Sequence, residues 1–169
     1  MNIQMVSDYF YRYGSIAIFV IVFLEYLNIP GLPSGIIMPS AGIWASKGSI
    51  GFGTVLLLSV AAGICGSWVL YCIGRWGGQL LLSKYIQKFP KHKAFLDQAI
   101  EKISTKGYIG LFLGKLLPMI RTIISIPAGA IKMNFLGYTI FSTLGILVWN
   151  LTLVGAGYLF GESVLQILG

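Results

Sequence analysis

The chain has 169 residues, of which 56% are hydrophobic and 10% are charged, and its formal net charge is +7. Soluble domains carry about 25% charged residues, so this composition predicts an integral membrane protein, with residues 1–169 as a single membrane domain. Seven of the twelve Lys and Arg residues lie between Arg75 and Lys106, beside apolar runs. This clustering is typical of a cytoplasmic membrane loop, and we expect no nucleic-acid partner.

The first predicted elements are too short to cross a membrane. Residues 1–13 mix apolar and polar groups, which favours a helix lying in the membrane interface. Residues 14–24 are uncharged but form only roughly 16 Å of helix, half of the hydrocarbon core. An interruption follows, made of Glu25, Asn28, Pro30, Gly31, Pro33 and Gly35. Residues 36–46 then supply a second half-length, so we predict a re-entrant helical hairpin, with two short tilted spans as the alternative.

The first full-length span is predicted at residues 52–73, which are all uncharged and form roughly 33 Å of helix. We expect this helix to end at residues 74–78, which contain three glycines, an arginine and an interfacial tryptophan. The basic segment 75–106 follows. Apolar residues at i, i+4 spacing within it predict an amphipathic helix on the membrane surface.

The second half of the chain repeats this order. Residues 107–114 are a short apolar run, 115–127 a charged tip with prolines, 128–131 a short return and 135–160 a second full-length span. The corresponding positions are Gly14 and Gly107, Glu25 and Lys115, Pro39 and Pro127, Gly42 and Gly129, Phe52 and Phe135, and Gly74 and Gly155.

These matches predict an internal repeat of about residues 10–74 and 107–162. If the segment 75–106 is cytoplasmic, Lys132 lies on the same side, and eight basic residues are inside against two outside. This distribution follows the positive-inside rule only if the two repeats are inverted, so that the first hairpin opens outward and the second inward. Inverted repeats with broken helices that meet at the midplane are typical of secondary transporters.

Three charges lie in the two predicted hairpins: Glu25 in the first, and Lys115 and Arg121 in the second. Each costs about 2.5–3.5 kcal/mol at mid-bilayer, so we expect a partner or a function for them. We predict that they meet near the membrane centre. One carboxylate against two cations favours an anionic ligand, and the guanidinium fork of arginine suits phosphate. A desolvated Glu25 is also the candidate group for proton exchange.

The alternative is a structural role, in which Glu25 and Arg121 form a salt bridge and Lys115 extends to the membrane interface. The prolines are assigned to the breaks in the two hairpins. They are Pro30, Pro33, Pro39, Pro118 and Pro127. Non-helical backbone at membrane depth is tolerated mainly where it lines a cavity.

Enzymatic functions lack the necessary residues. The single histidine, His92, lies in the basic segment, which argues against a histidine-nucleophile phosphatase and against a serine protease at Ser34. The sequence has no His, Cys, Asp and Glu cluster suited to a metal. We therefore predict a protein that is not an enzyme, with no cofactor and no metal.

Six motifs in order resemble a known family. They are the run from Glu25 to Pro39, Gly74-Arg75-Trp76-Gly77-Gly78, the stretch from Gly114 to Thr122, Ile126-Pro127-Ala128-Gly129, Lys132-Met133-Asn134-Phe135, and Trp149-Asn150. Over about residues 10–162 the chain resembles the DedA family of membrane proteins, also called VTT or SNARE-associated domain proteins. The resemblance implies a lipid translocase with paired re-entrant hairpins, for which proton coupling has been proposed. The implied substrates are undecaprenyl phosphate or a phospholipid such as phosphatidylethanolamine.

The resemblance also implies roles for single residues. Glu25 matches the intramembrane carboxylate of the family and Arg121 its second arginine. Lys115 stands where an arginine is usual, and Gly35 stands where many members have a second acid, which puts a two-carboxylate proton relay in doubt. Substrate binding is therefore assigned to Arg121, Lys115, Glu25, Thr122 and Ser34, and proton coupling to Glu25.

The leading prediction is a multi-pass protein of the cell membrane that moves a phosphate-headgroup lipid between leaflets. Two alternatives from other classes stay open: a proton- or cation-coupled antiporter of a small solute, and a structural membrane protein. Homo-oligomerisation is also left open.

Overall fold

The computed structural model describes residues 3–27, 34–46, 50–88, 90, 93–118 and 120–161. Side chains are described from residue 14 onward within these ranges, except at residues 34, 78–82, 84–85, 88, 95–96, 99 and 102. The helices are α1 (Ile3–Tyr26), α2 (Ser34–Ser46), α3 (Phe52–Lys88), α4 (Lys93–Lys115), α5 (Ile120–Ile123), α6 (Ser125–Ala130) and α7 (Phe135–Phe160). Because the described ranges contain no strand, the predicted all-α class is confirmed.

Two helices are long and apolar enough to cross a membrane. The candidate spans are Phe52–Gly77 within α3 and Phe135–Phe160, each of 26 residues, or roughly 39 Å of helix. The second span has the predicted bounds. The predicted end of the first helix at residues 74–78 is wrong, because α3 continues to Lys88. Gly74 instead allows a close helix contact, since a Cβ there would overlap the carbonyl oxygen of Ile126.

The chain divides into two compact units, which share the two long helices. The first unit comprises residues 1–63 and 147–169, and the second comprises residues 64–146. Each unit therefore contains one predicted hairpin and one part of each long helix.

One glycine bends the first helix of each hairpin. Gly14 interrupts α1 with φ 56° and ψ −136°, and Gly107 interrupts α4 with φ 54° and ψ −127°. Residues with a side chain rarely adopt these backbone angles, so glycine is required at both bends. The order of motifs in the sequence also pairs these two glycines, and their backbone angles are nearly equal.

In the first unit, α1 packs against α2. The predicted break at Pro39 is wrong, because this proline lies inside α2. It removes one backbone donor without ending the helix. The predicted breaks at Pro30 and Pro33 fall outside the described residues.

In the second unit, the turn between the arms of the hairpin is shorter than predicted. The helix α4 ends at Lys115, and the chain is helical again from Ile120. Pro118 lies in the turn, and its carbonyl accepts a hydrogen bond from the Ile120 amide at 2.9 Å. The predicted break at Pro127 is wrong, because Pro127 lies in the first turn of α6, where proline is tolerated.

The core of the second unit is an apolar cluster around two stacked tyrosines. Its buried members are Tyr71, Ile103, Leu111, Ile120, Ile124, Ala128 and Tyr138. Ile103 belongs to the predicted amphipathic segment. At least this residue of the basic segment therefore packs into the protein core.

Two of the sequence motifs meet at the end of the first span. The Arg75 guanidinium donates to the Tyr71 hydroxyl at 2.9 Å, and that hydroxyl donates to the Met133 carbonyl. The next residue, Asn134, accepts hydrogen bonds from the amides of Leu136 and Gly137 through its side chain. It therefore caps the N-terminus of α7, and these motif residues have structural roles.

Glycines bring helix backbones into direct contact in both units, in the same arrangement. In the first unit, a Cβ at Gly42 would overlap the Val154 carbonyl, and a Cβ at Gly157 would overlap the Pro39 carbonyl. In the second, Gly129 faces the Tyr71 carbonyl in the same way, and Gly74 faces that of Ile126. Gly157, and not the predicted Gly155, therefore makes the contact that corresponds to that of Gly74.

We expect Gly157→Ala to destabilise the protein by about 1–3 kcal/mol, because the new methyl group must push α2 away from α7. Gly155→Ala is the matched control, two residues away on the same helix with no atom in reach of its added Cβ. It should be neutral or slightly stabilising, because alanine favours the helix. Thermal unfolding in detergent measures both, and equal melting temperatures would contradict the packing described.

Candidate functional site

Lys115 is buried at the end of α4, with 1% of its surface exposed. Its ammonium donates hydrogen bonds to the Ser67 hydroxyl at 2.8 Å and to the Ser125 hydroxyl at 3.0 Å. Ser67 lies on α3 and Ser125 begins α6. The ammonium therefore connects three helices of the second unit.

Tyr138 of α7 completes this group of polar side chains. Its phenol donates a hydrogen bond to the Ser67 carbonyl at 3.0 Å. We call Lys115, Ser67, Ser125 and Tyr138 the lysine cluster. Each of its members is at most 1% exposed, so the cluster is a buried polar site.

The sequence allows this burial because small residues surround the lysine. A Cβ at Gly145 of α7 would collide with the Lys115 side chain, and one at Gly114 would collide with Ile124. The two glycines let α4 approach its neighbours closely enough to bury the lysine stem. The apolar part of a lysine side chain packs well in such a setting.

Two further predicted site residues lie in the same unit. Arg121 and Thr122 belong to the short helix α5 and are 2% and 5% exposed. Within residues 64–146 the acidic residues are Asp97 and Glu101, and both are exposed. Among its described residues, the second unit thus buries two cationic side chains and no carboxylate.

The first unit contains Glu25, which is 4% exposed near the end of α1. Its neighbour Tyr26 begins a buried chain of hydrogen bonds. The Tyr26 phenol donates to the Asn150 side-chain oxygen, and the Asn150 amide donates to the Ser59 hydroxyl, both at 3.2 Å. Ser59 in turn donates to the Leu56 carbonyl at 2.9 Å. This chain fastens the end of α1 to both long helices within the first unit.

The predicted site residues therefore fall into both units. Lys115, Arg121 and Thr122 all lie buried in the second unit, whereas Glu25 lies in the first. The meeting of Glu25 with the two cations stays a prediction. The Ser34 side chain lies outside the described residues.

The serines that accept the Lys115 hydrogen bonds, Ser67 and Ser125, were not predicted as site residues. Ser67 lies inside a long apolar run, where a hydroxyl needs a hydrogen-bond partner, and this need was the signal available in the sequence. The partner could not be identified, because it depends on which face of α3 meets α4.

No group of three or more His, Cys, Asp and Glu side chains suited to a metal ion occurs among the residues that the structure describes.

Two long apolar helices, together with charged side chains buried on the other helices, fit an α-helical membrane protein. The chain belongs to the VTT domain family, also known as the DedA family, whose model matches residues 32–159. The resemblance found in the sequence motifs is therefore confirmed. No solved structure matches the chain.

Several relatives are similar over most of their length. Undecaprenyl phosphate transporter A of Staphylococcus aureus is 29% identical over 164 residues, which cover 95% of this chain and 80% of the relative. The protein of the same name from Bacillus subtilis is 31% identical over 137 residues, with coverages of 81% and 69%. Inner membrane protein YqjA of Escherichia coli is 31% identical over 150 residues, with coverages of 86% and 67%.

We expect Tyr26→Phe to lower stability by about 1–3 kcal/mol, because it leaves the buried Asn150 oxygen without its phenol donor. Tyr158→Phe is the matched control: this tyrosine is exposed and keeps its ring contact with Phe52 after the change. Melting temperatures in detergent compare the two. An equal effect of both changes would show that the Tyr26 hydrogen bond contributes nothing.

Proposed function

We propose that the chain is a membrane transporter that moves a phosphate-headgroup lipid between the two leaflets. The observation that carries the proposal is the burial of two cationic side chains, Lys115 and Arg121, in one unit. Ionisable side chains within a membrane protein typically mark the path of a charged substrate, and two cations favour an anionic one. The names of the two undecaprenyl phosphate transporters support a lipid as that anion.

Arg121 is the main phosphate contact in this proposal. Its planar guanidinium can bind two phosphate oxygens at once, whereas the Lys115 ammonium acts as a single positive charge. Thr122 can add a hydroxyl donor. The lipid tails stay in the bilayer, against apolar helix surfaces.

Charge favours undecaprenyl phosphate over phosphatidylethanolamine. A phosphate monoester carries about −1.5 to −2 charges near neutral pH, which matches two buried cations. The headgroup of phosphatidylethanolamine is zwitterionic, so its electrostatic attraction to the two buried cations is weaker. A phospholipid substrate is the alternative.

We also propose that the two hairpins are re-entrant and belong to inverted repeats. Support comes from the shared order of features in the two units: a helix bent at Gly14 or Gly107, then a returning helix in contact with a long helix through Gly42 or Gly129. The basic segment 75–106 is placed in the cytoplasm by the positive-inside rule. Transport then follows the alternating-access scheme of repeat-based carriers.

Arg121→Ala should reduce transport roughly 30-fold or more, because the loss of a buried charged contact costs 2 kcal/mol or more. The measurement is leaflet exchange of a fluorescent polyprenyl phosphate in vesicles containing the purified protein. Arg121→Lys should be intermediate, since it keeps the charge but loses the fork.

Lys106→Ala is the control for net charge, because it removes one exposed cation and should transport normally. Membrane yield and melting temperature establish that Arg121→Ala folds. Full transport by Arg121→Ala would reject the proposed site.

Glu25 is proposed as the proton-coupling residue, because it is a buried carboxylate and Gly35 offers no second acid. Glu25→Gln cannot exchange a proton, so its transport rate should no longer depend on an imposed pH gradient. Glu101→Gln makes the same chemical change at an exposed position and should keep the wild-type response. An unchanged response of Glu25→Gln to the gradient would refute the coupling role.

A further inference from the structure

The hydrogen bonds of Lys115 limit how it can act on a ligand. A lysine ammonium has three donor hydrogens, and two of them are directed at the Ser67 and Ser125 hydroxyls. The two serines lie on different helices, so together they determine where the ammonium sits and how it is rotated. Within the part of the chain that the structure describes, the third hydrogen is left for a further acceptor.

The serines satisfy the ammonium without neutralising it. A carboxylate in their place would cancel the charge of Lys115, whereas a hydroxyl is a neutral acceptor. In a medium of low dielectric constant, the full positive charge of the ammonium then acts on any nearby anion. A charge held in place by neutral acceptors is what a binding site for a charged headgroup requires.

Tyr138 keeps Ser67 in place. Its phenol donates to the backbone carbonyl of Ser67. The phenol ring also stacks on Tyr71, with ring centroids 4.4 Å apart. The position of Ser67 is therefore supported by the core of the unit.

We propose that Ser67 and Ser125 are positioning residues for headgroup recognition. They hold the Lys115 ammonium so that its remaining hydrogen and its charge serve one oxygen of the lipid phosphate. The inference rests on the proposed function, and it adds Ser67 and Ser125 to the residues assigned to the binding site. It also implies that Lys115 donates one hydrogen bond to the headgroup in a defined direction.

The test measures transport rate against the fraction of a fluorescent short-chain polyprenyl phosphate in vesicles containing the purified full-length protein. Two variants at one position separate the effect of side-chain shape from that of hydrogen bonding. Ser67→Thr keeps a hydroxyl, and Ser67→Val introduces a side chain of the same shape as threonine but without a hydroxyl. We expect Ser67→Val to raise the half-saturating lipid fraction about tenfold or more, because hydrogen bonds to charged groups contribute 1.5–3 kcal/mol. Ser67→Thr should stay near wild type, and Ser125→Ala should behave as Ser67→Val does.

Ser59→Ala is the matched control, because Ser59 is also a buried serine of α3 but bonds to its own helix and to Asn150. It should leave the half-saturating fraction unchanged. Equal half-saturation for Ser67→Thr and Ser67→Val would overturn the inference, and so would a lower maximal rate with unchanged half-saturation. An inactive wild type would overturn the proposed function as well, whereas active wild type with unaffected serine variants overturns this inference alone.

Discussion

The ammonium group of Lys115 is buried among the helices of the second unit, and the arrangement of the candidate site depends on this burial. Lys115 is almost fully enclosed, and its hydrogen bonds go to the neutral hydroxyls of Ser67 and Ser125. Pairing the ammonium with a carboxylate, or replacing the lysine with an apolar residue, would lower the free-energy cost of burial. A buried positive charge held by neutral acceptors is suited to an anion that binds and dissociates. A permanent carboxylate partner would compete with that anion, whereas a hydroxyl does not.

Close packing of helix backbones makes this burial possible. In each unit, two glycines let a short helix lie directly against a long helix: Gly42 and Gly157 in the first unit, and Gly129 and Gly74 in the second. In the second unit, the short helix α6 thereby brings the Ser125 hydroxyl into the interior. The bends at Gly14 and Gly107 have nearly equal dihedral angles. The two units thus share the same backbone packing, although their buried polar groups differ. The first unit buries a tyrosine bonded to an amide, and the second buries a lysine bonded to hydroxyls.

The sequence predicted the elements whose signals are local. The α7 helix has the expected bounds because an uncharged run is preceded by the capping residue Asn134, and the burial of Lys115 follows from a charge inside an apolar stretch. Predictions failed where the outcome depends on distant partners. Gly74 was expected to end a helix, but it is needed for contact with Ile126. Pro39 was expected to break a helix that instead continues through it. Ser125 could not be assigned, because only the folded hairpin brings its hydroxyl to the ammonium.

The most direct measurement of the central claim compares two lipids that differ only in the phosphate. Vesicles containing the purified wild-type protein are loaded in one leaflet with a fluorescent polyprenyl phosphate or with the uncharged polyprenol of equal chain length, and exchange between leaflets is followed over time. If the buried cations bind the headgroup, the protein accelerates exchange of the phosphate lipid, and excess unlabelled polyprenyl phosphate competes with it. Equal acceleration of both lipids, or none of the phosphate lipid, would contradict the account.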